Sequence, residues 1–290
     1  MKNMMKRRSA VCVAALLAGG AAHADVTASE VWENWKSQLM MNGDDAISIG
    51  AEEASGGTVT VRDLVLSVDD PEASFMANFG DLVFSEQGDG TVSVELADSY
   101  PISITTVDGA VINITVTQDT LEMLVSGDPE AMNYAITADS YTIALDNVVD
   151  GDVTFTGDAQ LVMNDLQSTY NVLVGEMRDI DYDATVGAVD ILVDIQIPGG
   201  NGEYVTGGGK IDNLVMVGNV SMPADADFEN PDSMFMDGFA ASGSYASDSA
   251  AYVFDVNAEG DSGAGSISTG ATTLTAEFSS EVIGYSSNTE

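Results

Sequence analysis

Apolar and polar residues alternate along most of this chain, from Ala46 to near its end. Val92, Val94 and Leu96, for example, are separated by Ser93 and Glu95. The same period of two recurs in the segments 112–116, 141–145, 191–197, 252–256 and 274–278. Successive side chains of a β-strand point to opposite faces of the sheet, so this period predicts strands with one apolar and one polar face.

Turn sequences separate these alternating segments at short intervals. They are Gly88-Asp89-Gly90, Asp108-Gly109, Asp150-Gly151 and the glycine-rich stretch 199–202, and all of them favour hairpin connections. Short connections place consecutive strands side by side and antiparallel, and clean alternation indicates one wet face. We therefore predict a mainly β protein of roughly fifteen strands. Its architecture is expected to be an extended, curved antiparallel meander sheet with an open groove along the apolar face.

The alternation changes phase inside some segments. At Arg62-Asp63 the inward positions move from Val61 to Leu64, and a β-bulge is the natural cause of such a shift. A short pattern of Asp or Asn before an apolar residue also recurs, in residues 61–66, 79–84 and 211–216 and more weakly at Asp165-Leu166 and Asp179-Ile180. Because its spacing is irregular, we interpret this pattern as a feature that several strand edges or β-bulges share, rather than as a true repeat.

Residues 27–41 have the pattern of an amphipathic helix instead. The pattern consists of a capping-box pair, an apolar residue at every fourth position and a stop signal, namely Thr27 with Glu30, then Val31, Trp35 and Leu39, then Asn42-Gly43. Both tryptophans of the protein, Trp32 and Trp35, lie in this segment. We favour a helix that plugs one end of the sheet with the indoles as core; the alternative is an aromatic lid over a binding site.

The first 24 residues have the form of a secretory signal peptide. Basic residues precede an apolar stretch that runs from about Ala10 to Leu17, and Ala22-His23-Ala24 is a cleavage signal. Cleavage after Ala24 is expected to leave the protein in the bacterial periplasm or outside the cell. No later segment approaches the length of apolar sequence that a transmembrane helix needs, so we expect no integral membrane span.

Residues 25–290 are expected to form a single antiparallel β domain that begins with the helix. The alternation is interrupted between Pro223 and Phe239, where residues 229–236 have the pattern of a short helix with Pro231 in its first position. This interruption could divide a main body from a C-terminal set of hairpins, and the pattern does not decide whether those hairpins form a domain of their own.

The chain is strongly acidic. It contains 47 acidic and 8 basic residues. Four of the basic residues and none of the acids lie in the leader, so the mature chain has four cations against 47 acids and a formal charge of −43. Such a surface repels nucleic acids and anionic membrane faces. We favour solubility in a salty medium as its explanation, with binding of cations as the alternative.

Most catalytic chemistries are excluded by composition. Cys12 and His23 both lie in the leader, so the mature chain has neither cysteine nor histidine. This removes thiol nucleophiles, Ser-His-Asp triads, Cys/His zinc sites and imidazole acid-base catalysis. The nucleophile-elbow, phosphate-loop and dinucleotide-binding motifs are also missing. We therefore expect no enzyme and no required cofactor. A carboxylate-based glycan hydrolase is the remaining catalytic alternative, but the pattern does not single out a pair of acids.

The densest acidic cluster is Asp179, Asp181 and Asp183, which share one side of a strand if residues 178–184 are extended. Clustered carboxylate oxygens suit Ca²⁺, so these residues are the candidate metal ligands. The EF-hand loop and the glycine-rich calcium nonapeptide are both absent, and a solvated acidic strand is the favoured alternative.

Several stretches are similar to a known family. They are Ala24-Asp25-Val26-Thr27 with residues 31–35, Gly88-Asp89-Gly90-Thr91 with residues 92–94, residues 125–129 with Met132-Asn133-Tyr134, and Glu229-Asn230-Pro231 with Met234-Phe235 and Gly238-Phe239. Across most of the mature chain they resemble secreted, mostly alphaproteobacterial proteins grouped as domain of unknown function 2125. The resemblance implies a periplasmic location. It implies no activity and no site residues.

Two main hypotheses for function follow. The first is non-catalytic binding of a lipid or another apolar ligand in the groove, by analogy with curved sheets that carry lipids. Its candidate residues are Trp32, Trp35, Ile112, Ile114, Val116, Ile191, Val193 and Ile195. The second is an envelope or surface structural protein with no small-molecule ligand.

Overall fold

The computed structural model describes residues 25–43, 45–70, 72–197, 202–224, 238–258, 261–279 and 283–289. The leader and the short helix expected at 229–236 lie outside the described residues. Within them the chain is mainly β, with one α-helix at its N-terminal end and one large antiparallel meander sheet, which confirms the predicted fold class. No described helix has the length and apolar character needed to cross a membrane.

The helix, α1, spans Ala28–Leu39 and is followed by a 3₁₀ turn at Met40–Asn42. Both bonds of the predicted capping box are present: the Thr27 backbone N–H donates to the Glu30 carboxylate at 2.8 Å, and the Glu30 N–H donates to Thr27 Oγ1 at 3.3 Å. These bonds satisfy backbone donors that the first turn leaves free. The capping residues therefore start the helix where the sequence predicts.

Eighteen strands are found in the described part of the chain. They are β1 Ile47–Ser48, β2 Ala51–Ser55, β3 Thr58–Asp69, β4 Ala73–Glu86, β5 Val92–Glu95, β6 Ser99–Thr106, β7 Val111–Asp119, β8 Glu122–Asp128, β9 Ala131–Asp150, β10 Val153–Phe155, β11 Gly157–Val174, β12 Met177–Gln196, β13 Tyr204–Pro223, β14 Ala240–Ser247, β15 Ser249–Ala258, β16 Asp261–Thr269, β17 Thr272–Ser279 and β18 Ile283–Thr289.

Six long strands, β3, β4, β9, β11, β12 and β13, run through two halves of this sheet. Short strands pair with one end or the other. For example, β8 pairs with β9 from Ala131 to Thr137, whereas β7 pairs with β9 from Ser140 to Val149. We call the half that contains β2, β5, β8, β14, β17 and β18 the helix wing, because α1 packs on β3 and β4 there. The half that contains β1, β6, β7, β10, β15 and β16 is the open wing.

The two wings meet where the long strands exchange their inward and outward positions. On β12, Val186 is buried before the exchange and Val189 after it, so the inward parity changes near Gly187. On β13 the same change occurs between Ile211 and Leu214. These residues from both sides of the exchange pack in a single apolar cluster, so one continuous inner face follows the sheet from wing to wing.

The residue at the exchange has a left-handed backbone conformation on several strands. Asp63, Asp165 and Asn213 have φ of 51°, 54° and 51°, and Gly80 has φ of 68°. These four residues belong to the short recurring sequence pattern. Asp and Asn tolerate this conformation better than other residues with a Cβ. The recurring pattern thus marks the line along which the sheet changes face.

The register shows that only part of this line is bulged. Between β3 and β4 the register shifts at Val61/Leu64, as the predicted bulge requires. On β11, by contrast, Asn164 and Leu166 keep the same register with β12 on either side of Asp165. The bulge interpretation is therefore right for β3 and needs correction for β11, where one left-handed residue reverses the alternation without an inserted residue.

The main core lies between α1 and the inner face of the helix wing. Val31 and Trp32 are fully buried there among Val61, Leu82 and Phe84. Burial of each such side chain stabilises the fold by about 1.5–3 kcal/mol. The apolar stripe of the helix is therefore what covers this end of the sheet.

Candidate functional site

The inner face of the open wing is apolar across eight strands. Directly paired residues of neighbouring strands project from the same face. One row of such residues crosses β6, β7, β9, β11, β12, β13, β15 and β16 in the order Tyr100, Val116, Ile143, Leu161, Ile191, Gly209, Tyr252 and Ile267. A parallel row contains Ala159, Val193, Gly207, Phe254 and Gly265.

All six apolar residues predicted from the strands lie on this face. Ile112, Ile114 and Val116 project from β7, and Ile191, Val193 and Ile195 project from β12, with β9 and β11 between them. Val116 is buried, whereas the other five are partly exposed. The structure therefore brings the six residues onto one surface, as the groove hypothesis requires, and leaves most of them accessible to a ligand.

The apolar side chains of this face become more exposed to solvent toward the last strands. Ile143 on β9 is 36% exposed, Phe254 on β15 is 46% exposed and Ile267 on β16 is 60% exposed. In the middle of the strand order, Ile195 lines an apolar cavity of about 290 Å³ together with Leu145, Val148, Phe155 and Thr156. The inner face thus includes a partly open apolar cavity and grades into an open apolar surface.

Glycines under aromatic rings shape the inner face. A Cβ on Gly209 would collide with the Tyr252 ring, and a Cβ on Gly265 would lie 2.7 Å from Cζ of Phe254. In the helix wing, a Cβ on Gly218 would lie 2.5–2.6 Å from three atoms of the Tyr182 ring. Each ring therefore lies flat across the neighbouring strand because that strand has no side chain at this position.

A second cavity, of about 300 Å³, lies where α1 meets the sheet. We call it the helix cavity. Its lining residues are Trp35, Gln38, Leu39, Met123, Tyr134, Ile136 and Tyr170. Small-molecule sites range from about 300 to 1,000 Å³, so the volume suits a small ligand or the end of a longer one.

Polar groups of the helix cavity are held in place by the helix. Tyr134 Oη donates to Asn34 Oδ1 at 3.1 Å, and Tyr170 Oη donates to Gln38 Oε1 at 3.0 Å. The two rings pack edge to face with centroids 5.6 Å apart. Burial raises the pKa of both phenols above the usual value, since a buried phenolate would lose its hydration. The cavity wall is therefore a neutral, hydrogen-bonded surface at ordinary pH.

The two tryptophans have different roles. Trp35 lines the helix cavity, with its ring 5.6 Å from the Phe84 ring. Trp32 is 1% exposed and packs on Phe84 from the other side, with centroids 5.7 Å apart. Trp32 belongs to the core, as the favoured interpretation expects, and no part of its ring is left to contact a ligand. Of the two tryptophans, only Trp35 lies at a cavity, as an aromatic lid over a binding site would.

Arg178, which no sequence motif singles out, is 3% exposed. Its Nη2 donates to Ser37 Oγ at 3.0 Å and its Nη1 donates to Met41 Sδ at 3.2 Å, and its Nε has no partner among the residues that the structure describes. Burial lowers the pKa of this guanidinium, and the nearby phenols of Tyr170 and Tyr134 act in the opposite direction. Removing an ion from water costs several kcal/mol, so a buried arginine among neutral groups calls for a physical reason.

The alternation of β12 indicates that the side chain of Arg178 points inward. Asp179, Asp181 and Asp183 point to the outer face, so the residues between them must point inward. Arg178 stands in that inward set with Ile180 and Tyr182. The charge of Arg178 hid this assignment, because arginine is expected in water.

The three predicted metal ligands lie on the outer face, away from the helix cavity. Their cross-strand neighbours on β11 and β13 are Leu173 and Ser221 for Asp179, Asn171 and Asn219 for Asp181, and Thr169 and Val217 for Asp183. Among the described residues, no group of three or more carboxylates is placed to hold one metal ion. Calcium binding by Asp179, Asp181 and Asp183 remains a prediction.

Comparison with known proteins gives no relative of this chain: no protein-family model, no curated protein and no solved structure matches it. The resemblance to domain of unknown function 2125 therefore stays a prediction. A function can be inferred only from the geometry of the inner face and of the helix cavity.

Proposed function

We propose that the mature protein, after export to the periplasm or beyond, binds an acyl chain or a similar apolar molecule without chemical conversion. The observation that supports this proposal is the apolar row that crosses eight strands of the open wing and remains partly exposed. Monomeric proteins rarely leave large contiguous apolar surface in contact with water unless it binds something. The ligand would lie along the inner face, with the helix cavity at one end.

Chain-length dependence tests this proposal. Each methylene buried on the inner face should contribute about 0.8 kcal/mol, or about fourfold in affinity. Neutral alkyl alcohols of increasing length should therefore bind with increasing affinity, measured by tryptophan fluorescence. Trp35 should report the binding because it lines the helix cavity, whereas the enclosed Trp32 should respond little.

A Trp35→Phe variant is the matched control, since it removes the reporter and keeps an aromatic ring in the cavity wall. The fluorescence change should disappear in this variant, while binding measured by calorimetry should persist. A flat response at every chain length, in both measurements, would reject the proposal. Lipid in an organic extract of the purified protein, identified by mass spectrometry, would name the natural ligand class.

A structural role in the envelope is the second candidate. It is favoured by the exposed apolar residues of the outermost strands, since Ile283 on β18 is 80% exposed and Tyr285 is 85% exposed. Exposed strand edges with apolar side chains favour pairing with other chains. Self-association that depends on Ile283 and Tyr285, together with no response to alkyl chains, would support this candidate over ligand binding.

A further inference from the structure

Arg178 differs from the other three cations of the mature chain. Lys36 pairs with Glu52 at 3.4 Å, Arg62 with Asp81 at 3.1 Å, and Lys210 with Asp212 at 2.6 Å, all at exposed positions. Arg178 is buried, and among the described residues no carboxylate pairs with it. The chain contains 47 acidic residues, yet the side chains that bond to Arg178 are neutral.

The contacts of Arg178 leave part of its hydrogen-bonding capacity unused. A guanidinium carries five N–H donors, and a thioether sulfur such as that of Met41 is a weak acceptor. The Nε group is buried and has no partner within the described part of the chain. Buried unpaired donors are rare in folded proteins and often mark the place of a missing water or ion. An anion with two oxygens would match the fork of N–H groups better than Ser37 and Met41 do.

Arg178 lies next to the helix cavity. Ser37, which accepts its hydrogen bond, directly precedes Gln38 of the cavity wall. Tyr170 and Tyr134, also in that wall, are close enough to influence the charge of the guanidinium. On β12, Arg178 and Ile180 project from the same inner face as the apolar ligand surface. The guanidinium of Arg178 is therefore close to residues of the cavity wall, although Arg178 itself does not line the cavity.

We propose that Arg178 binds the anionic head group of an amphiphile whose acyl chain occupies the helix cavity and the inner face. This inference rests on the proposed function and narrows the ligand class to acyl chains with a carboxylate or phosphate head. The head group replaces Met41 as acceptor and takes up the free Nε donor. Because the net charge of the protein repels anions at long range, a preference for anionic ligands must come from this local cation.

Arg178 also has a structural effect that the experiment must separate from binding. Its contacts are with the last turn of α1 and the following 3₁₀ turn, where a cation interacts favourably with the helix dipole. A role limited to holding the helix would affect neutral and anionic ligands equally. A role in binding the head group affects the anionic ligand alone.

The first measurement uses the wild-type protein and three probes with the same alkyl chain: dodecanol, dodecanoate and dodecyl phosphate. At about pH 8 both acids are ionised, and all probes are kept below their micelle concentrations. We expect at least one anion to bind about tenfold or more tightly than dodecanol, as a hydrogen-bonded charge pair allows. The tighter of the two anions identifies a carboxylate or a phosphate as the natural head group.

The second measurement uses Arg178→Met, which removes the charge and keeps a side chain of similar length. Dodecanol affinity should be unchanged, whereas the affinity for the preferred anion should fall to that of dodecanol. Arg62→Met is the control, because it changes the net charge equally at an exposed position. It should leave all three affinities unchanged. Thermal unfolding of both variants checks that they fold.

The outcomes separate the two proposals. If none of the three probes binds, the proposed function fails and this inference fails with it. If dodecanol binds as tightly as both anions to the wild-type protein, apolar binding stands and the assignment of Arg178 is overturned, even if the variant does not fold. An anion preference that persists in Arg178→Met also overturns the assignment.

Discussion

Single residues with left-handed backbone conformations decide where the long strands change face. Asp165 on β11 is the clearest example, because its φ is 54° while the register with β12 is the same on both sides. A residue with a Cβ, and above all a β-branched one, is disfavoured in this conformation by about 1–2 kcal/mol. The sequence preference for Asp or Asn at these positions therefore has a backbone cause rather than a catalytic one.

Asp165→Val should destabilise the protein by about 1–2 kcal/mol, and Asp165→Gly should be neutral or stabilising, since glycine adopts this conformation freely. The control is Gln167→Val, at an exposed position of the same strand with ordinary strand geometry. Its effect should stay within about 0.5 kcal/mol. Urea unfolding measures all three. Equal losses for the two valine variants would contradict the backbone explanation.

The buried phenols of the helix cavity predict an alkaline limit of stability. Burial raises the folded-state pKa of Tyr134 and Tyr170 above the ordinary value of 10.0. Below that pH the folded and the unfolded protein both keep these phenolic protons, so the two phenols do not change the stability there. Above it the unfolded chain loses protons that the folded chain retains, so the free energy of unfolding should fall by up to about 1.4 kcal/mol per pH unit for each phenol.

Unfolding midpoints between about pH 9 and pH 11.5 test this prediction. The double variant Tyr134→Phe, Tyr170→Phe should lose less stability over that interval than the wild type. Tyr285→Phe is the control, because Tyr285 is 85% exposed and its removal should leave the slope unchanged. The same slope in the wild type and the double variant would show that other groups cause any alkaline unfolding.

At the scale of elements, aromatic rings on some strands lie over glycines of the neighbouring strand in the sheet. Tyr182 on β12 lies over Gly218 on β13, where an added Cβ would be 2.5–2.6 Å from the ring. The Tyr182 ring would have to shift to make room for a Cβ at position 218. Glycine thus permits a close approach here, although glycine normally weakens a strand.

Gly218→Ala should destabilise the protein by about 1–3 kcal/mol, the usual cost of overpacking. Gly263→Ala on β16 is the matched control, because nothing lies within 4 Å of its added Cβ. That substitution should be neutral or should stabilise the fold by up to about 1 kcal/mol, since alanine restricts the unfolded chain. Thermal or urea unfolding compares the two. A stabilising Gly218→Ala would show that the Tyr182 ring moves aside easily.

At the scale of the whole molecule, residues 25–290 contain four basic and 47 acidic residues, a formal charge of −43 that opposes the compact state. Salt bridges involving Lys36, Arg62 and Lys210 are exposed, and exposed pairs contribute little. Lowering the salt concentration lengthens the screening distance from about 8 Å toward about 30 Å, so repulsion among acids then grows. Stability should accordingly depend on ionic strength more than in an ordinary protein.

The melting temperature should be lower at about 10 mM than at about 500 mM salt. An unchanged or higher value at low salt would show that the acids are too dispersed to matter. Calcium provides a second comparison: a stabilisation larger than that of sodium at equal ionic strength, lost in the triple variant Asp179→Asn, Asp181→Asn, Asp183→Asn, would establish the predicted metal site. Equal effects of the two cations would reject it.

Much of the fold was predictable because its signals are local. The capping box at Thr27, the two-residue period and the turn sequences depend on neighbours in the chain. The structure reproduces the capping box, the period and the turns at Asp108-Gly109 and Asp150-Gly151. The phase change at Arg62-Asp63 was also visible. The sequence shows the equivalent phase change at Asp165 only as part of a recurring pattern. A left-handed residue that keeps the register leaves no local signal apart from the preference for Asp or Asn.

The N-terminal helix, the mainly β fold and the apolar face of the alternating strands can be read from the sequence, because capping and alternation depend on residues a few positions apart. Which of these faces stay uncovered depends on the tertiary structure. Pairing across eight strands placed Ile114 and Ile191 on one surface, and the docking of α1 buried Trp32 while leaving Trp35 at a cavity. It also enclosed Arg178 beside that cavity. These facts depend on contacts between distant segments, and a period of two carries no information about them.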